Sequence, residues 1–148
     1  MKAYQHTSTP VAKSQEDIRK ILIKYGASGV QFLENWQEKI LIVKFLYIIN
    51  TCDYFVIFKV PIPQAGTETA TGRPRAATQI KKEQEQFERG IWRAIFWAIK
   101  SRMESIEFGI ETFQEAFLSH FEIPGSNIQI GEILIPRLEK GNLKLLNM

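Results

Sequence analysis

The sequence predicts an α+β fold: a short N-terminal helix, an antiparallel β-hairpin or three-stranded sheet, then a long central helix with a second helix packed on the sheet. Three observations carry this. From Thr78 to Gly109 the large apolar residues Phe87, Ile91, Trp92, Ile95, Phe96, Ile99, Met103 and Ile106 recur at helical spacing, in one arc roughly 180° wide. Two runs, KILIVKFLYI and YFVIFKVPI, are rich in β-branched and aromatic residues and flank a turn-forming INTCD. Gly26, Pro61 with Pro63, Gly109 and Pro124-Gly125 stand where the periodic segments end.

Composition sets the bounds. At 148 residues, with 45% apolar and 24% charged side chains, the chain reads as a single domain (1–148) with a real core. A net charge of +3 is mildly basic, compatible with nucleic acid without requiring it. One cysteine, Cys52, excludes an internal disulfide and every multi-cysteine zinc pattern. The N-terminus lacks the apolar stretch of a secretory signal, and the longest apolar run, interrupted by Lys44, is too short to span a bilayer. The expectation is a cytoplasmic protein without membrane contact.

In chain order, residues 1–13 are polar and read as a flexible N-terminus. Ser14 is placed to cap a helix, with Asp17 in the acidic slot, and QEDIRKILIKYG then presents Ile18, Leu22 and Tyr25 on one face. Gly26 stops it. SGVQFLEN is a candidate short strand; the two longer runs form the hairpin, turned by Asn50, Thr51 and Asp53 and ended by Pro61 and Pro63. Residues 64–77 hold no large apolar side chain and read as a mobile loop. After the central helix, Thr112 and Glu115 form a capping box for TFQEAFLSHF, with Phe113, Ala116, Phe117 and His120 on one side. Pro124-Gly125 is a turn, NIQIGEILI a short strand running into a helical turn stopped by Pro136, and the leucine-bearing tail is expected to dock on the body.

The order KYGA (24–27), VPIP (60–63), RGIWRAIFWAIKSRMESIEFG (89–109), ETFQEAFLSHFEIPGS (111–126) and IGEILIPRLEKG (130–141) resembles a family of small proteins carried by tailed bacteriophages and prophages. Its most specific block is Trp92, Arg93, Ala94, Ile99 and Lys100; Ile133-Leu134 stand where an aromatic is common. The resemblance implies a phage or mobile-element origin and action in a bacterial cytoplasm. The family has no assigned activity and supplies no catalytic residues.

Charge is segregated along the chain. Arg73 to Arg102 carries eight cations against three glutamates, whereas Met103 to Glu122 carries five glutamates and no cation. Arg73, Arg75, Lys82, Arg89, Arg93 and Lys100, with Trp97 beside them for base stacking, form the candidate nucleic-acid surface, for DNA or RNA. An ordinary solvated helix face, or a strip that pairs with the acidic segment of a second subunit, reads the same residues more plainly. TGRPRA has the Gly-Arg-Pro of a minor-groove hook but lacks the preceding arginine. Enzyme readings are weak. His6, His120 and Cys52 make no persuasive catalytic or metal set, the strands carry no Glu-x-Lys nuclease triplet, and no phosphate loop occurs; no cofactor is implied. The many aromatics of the sheet and helices (Phe45, Tyr47, Tyr54, Phe55, Phe58, Phe96, Phe113 and others) suggest a surplus that a homodimer would bury. The functional expectation is therefore a non-enzymatic phage accessory protein that binds nucleic acid or a nucleoprotein complex. The alternative is a protein-interaction factor, or an inhibitor of a host or defence enzyme, acting through aromatic and acidic surfaces.

Overall fold

A computed structural model describes residues 2–141, and the fold it shows is mixed α+β, with a long central helix after the sheet. The leucine-bearing end of the tail, 142–148, lies outside the described residues.

Helix α1 (Val11–Lys24) begins before Ser14, at Pro10, which takes the extended cap conformation. Ser14 is no cap. It is buried inside the helix, and its hydroxyl faces Arg93 at 3.5 Å rather than a backbone N–H. Gly26 ends the helix as predicted, with φ +88° and the Ala27 N–H returning to the Leu22 carbonyl.

Three antiparallel strands follow in the order β1 (Gly29–Asn35), β2 (Ile40–Ile49) and β3 (Cys52–Pro61). The β2–β3 register pairs Val43 with Phe58 and Phe45 with Val56 on the face toward the helices, and Lys44 with Ile57 on the other. The connecting turn holds Asn50 and Thr51 both at positive φ, the two-residue hairpin geometry that matches strand twist.

Helix α2 (Ala77–Glu107) lies across the inner face of the sheet. Its residues Trp92, Ile95, Phe96, Ile99 and Met103 are buried with Ile18 and Leu22 of α1 and Val43, Phe45, Val56 and Phe58 of the sheet. Each such burial contributes roughly 1.5–3 kcal/mol, so this seam dominates stability. Of the aromatics read from sequence as a surplus, Phe45, Tyr47, Phe58, Trp92, Phe96, Phe117 and Phe121 are core, Tyr54, Phe55 and Phe113 are partly buried, and Trp97 is exposed.

The second helix is shorter than its pattern. Thr112 and Glu115 do form the capping box, but α3 (Phe113–Phe117) gives way to a single 3₁₀ turn, Leu118–His120. Phe121 is already extended, bridging Val56 of β3, so sheet pairing wins over helical periodicity. Strands β4 (Glu122–Ile123) and β5 (Ile128–Gln129) form a small hairpin leading into α4 (Ile130–Glu139). Pro136 lies within α4 rather than stopping it. The helix ends three residues later, so the backbone bond that proline cannot donate is lost close to the terminus.

This C-terminal segment lies along the β3 edge of the sheet, where Phe121 bridges Val56. Buried Glu122 takes the Lys44 ammonium at 2.5 Å, which satisfies a carboxylate oxygen with no other partner among the described residues. Glu132 takes Lys59 at 3.0 Å.

Candidate interaction surfaces

The structure brings most of the predicted basic strip onto α2 and gives much of it internal partners. Arg93 Nη1 lies 2.9 Å from Asp17 Oδ2, with its guanidinium 4.1 Å from the Phe96 ring centre. The Arg93 hydrogen bond, with a second from Lys13, holds the Asp17 carboxyl below its ordinary pKa. This pair bolts α1 to α2. Lys100 reaches Glu104 at 3.7 Å and lies 4.7 Å over the Trp97 ring. Arg89 donates to its neighbour Gln86. Arg75, in the loop, pairs with Glu83 at 2.6 Å and donates to the Gly66 carbonyl. Arg73 and Lys82 are exposed, with no ion pair among the described residues.

Trp97 is shared as well. The N-terminal residues run along α2 and set Tyr4 parallel to the indole, centroids 6.4 Å apart. Gln86 fastens this strap by donating to the carbonyls of Gln5 and Thr7. Gly90 makes room: a β-carbon there would meet the Tyr4 carbonyl oxygen at 3.2 Å. A cavity of about 620 Å³ lies beneath the strap, between Lys2, Gln5, Pro61, Pro63, Phe87 and Ile91. Residues 64–77 are likewise hydrogen-bonded within themselves, Thr69 to Arg73 and Arg75 to Thr67, and to Gln84 of α2.

The exposed apolar side chains lie elsewhere. Phe108 and Ile110, 80% and 75% exposed, flank Gly109 at the end of α2. Gly109 adopts φ +74°, the left-handed turn that ends the helix and turns both side chains outward. The turn is tied on each side. Ser105 donates to Glu111 at 3.1 Å, the Ile110 N–H to the Ser105 carbonyl, and Tyr25 to Glu107 at 2.6 Å. The Glu107 bond pushes the Tyr25 phenol up to about 12, so it stays a donor at any physiological pH. Glu104, Glu107, Glu111 and Glu115 surround the turn in sequence; Lys24, over the Tyr25 ring, is a cation at the same end.

Trp36, in the β1–β2 turn, is 82% exposed and donates its Nε1–H to Glu34 at 3.1 Å. Neither Phe108–Ile110 nor Trp36 was singled out from sequence. The available signal was a large apolar residue inside a turn, with polar residues three and four positions away.

The weak catalytic candidates stay apart. Cys52 is exposed at the β2–β3 turn, while His120 stacks on Phe58 with centroids 4.3 Å apart. Burial and then the Arg102 charge push the His120 imidazole below its ordinary value. No three His, Cys, Asp or Glu side chains among the described residues are grouped to hold a metal, and no described helix is long and apolar enough to cross a membrane. No family model, curated protein or solved structure matches this chain.

Proposed function

We propose that this chain is a non-enzymatic accessory factor, of phage or prophage type and acting in the bacterial cytoplasm, that works by protein contact through the Phe108–Gly109–Ile110 turn. The observation that carries the reading is the pairing of exposure with order. Two large apolar side chains stand in solvent on a turn fixed by hydrogen bonds from α1, α2 and the α3 cap. An anchor already held in its binding geometry loses little conformational freedom on docking. The glutamates around it suit a partner with an apolar pocket and a basic rim. The nucleic-acid reading has less support, since Arg75, Arg93, Lys100 and Trp97 have internal partners. Its remaining support is Arg73, Lys82 and Arg89, none of which has an ion pair among the described residues.

Affinity capture from host-cell lysate tests the reading, comparing wild type with the double variant Phe108→Ser, Ile110→Ser. A protein retained by the wild type, lost with the double variant and released by salt supports it. Salt-dependent binding of the wild type to DNA or RNA, unchanged in the double variant and abolished by Arg73→Glu with Lys82→Glu, overturns it in favour of nucleic acid.

A further inference from the structure

We propose that the open edge of β1 pairs with the same edge of a second copy of this chain, antiparallel and centred on Phe32. Strand β1 is hydrogen-bonded to β2 on one side and has no strand on its other side among the described residues. Its sequence, GVQFLEN, carries neither the lysine nor the proline that commonly blocks an open edge.

A twofold centred on Phe32 sets Glu34 of each copy opposite Val30 of the other, Leu33 opposite Gln31, and Trp36 beside Ser28. Strand alternation puts Val30, Phe32 and Glu34 on one face. On that face the Arg19 guanidinium lies 4.9 Å from the Phe32 ring centre, and no described carboxylate comes within ion-pair distance of it. The incoming Glu34 therefore meets an arginine without a carboxylate of its own. Glu34 and Trp36 are already joined by the indole hydrogen bond, so the indole arrives with the carboxylate. It meets a cavity of about 230 Å³ between α1 and β1, lined by Leu22, Ile23, Ala27 and Val30, where Ile23 is otherwise exposed. No like charges come opposite each other, and symmetry makes every contact twice. The two sheets become one of six strands.

This pairing is independent of the Phe108–Ile110 turn. Sedimentation equilibrium from low micromolar to submillimolar concentration tests it, with circular dichroism confirming that each variant folds. The wild type is expected to show a concentration-dependent dimer, and Phe108→Ser with Ile110→Ser to leave it unchanged. Arg19→Glu and Glu34→Arg should each weaken association at least about tenfold, as should Trp36→Ala, while Arg19→Glu with Glu34→Arg restores it. A dimer indifferent to all three single changes, or a charge swap that fails to restore it, overturns the proposed pairing. So does a wild type that stays monomeric throughout, including one whose β1 amides become protected from exchange only when another protein is added.

Discussion

The two edges of the three-stranded sheet are treated in opposite ways. At β3 the C-terminal segment closes the edge. Phe121 bridges Val56, Gln129 donates its side-chain amide to the Ile57 carbonyl, and Lys59 meets Glu132. At β1 nothing among the described residues pairs with the outer side, and Trp36 beside it stands in solvent. One edge is thus part of the fold's stability and the other is available for contact. Substitutions on the two sides should separate accordingly: stability lost at the closed edge, association lost at the open one.

The largest effect is expected at Phe121. It is core, packed against Tyr54 and Phe113 with ring centres 5.3 and 5.8 Å away. Phe121→Ala should cost about 3–5 kcal/mol in denaturant unfolding, from lost burial plus the cavity left behind. Hydrogen exchange should show the β3 amides opening before those of β2. A loss under about 1 kcal/mol would mean that the closed edge is not structural. Next comes Gly131, where α4 passes the 3₁₀ turn. A β-carbon there would sit 2.8 Å from the Ser119 carbonyl oxygen, so Gly131→Ala must push the two backbones apart. The expected cost is about 1–3 kcal/mol, although alanine is the better helix former.

How far the sequence revealed this division depends on which forces act locally. Thr112 and Glu115 signalled the α3 cap because both halves of a capping box lie within one turn. The apolar arc of α2 was readable because its period belongs to the helix itself. Phe121 was not: its helical position was overridden by a β-strand 65 residues earlier, a contact that no local pattern contains. The internal partners of the basic strip were hidden for the same reason. A helical wheel locates Arg93 on α2 but says nothing of Asp17, which reaches it from α1, nor of Tyr4, which covers part of Trp97. Ser14 looked like a cap because a serine before an apolar helix usually is one, whereas the helix started earlier, at Pro10.

A smaller, pH-dependent effect belongs to His120, which sits beside the closed edge between Phe58, Gln129 and Arg102. Its folded pKa lies below the ordinary 6.5, first through burial and then through the arginine. The unfolded chain therefore takes up the proton before the folded one does. The resulting contribution is fully present above pH 6.5 and is lost as pH falls through the lower folded value. His120→Gln should flatten the stability profile below that pH while changing the plateau above it independently. An unchanged slope would assign the pH dependence to other groups.

The smallest stability effect is expected at the open edge, and its smallness is the informative part. Trp36 is 82% exposed and its one hydrogen bond joins it to a surface carboxylate. Trp36→Ala, measured by denaturant unfolding at a concentration where the chain is monomeric, should change stability by no more than about 0.5 kcal/mol. A tryptophan that adds nothing to its own fold is free to act on something outside it. A loss comparable to that of Phe121→Ala would place the indole in the folded core, and the contrast between the two edges would fail there.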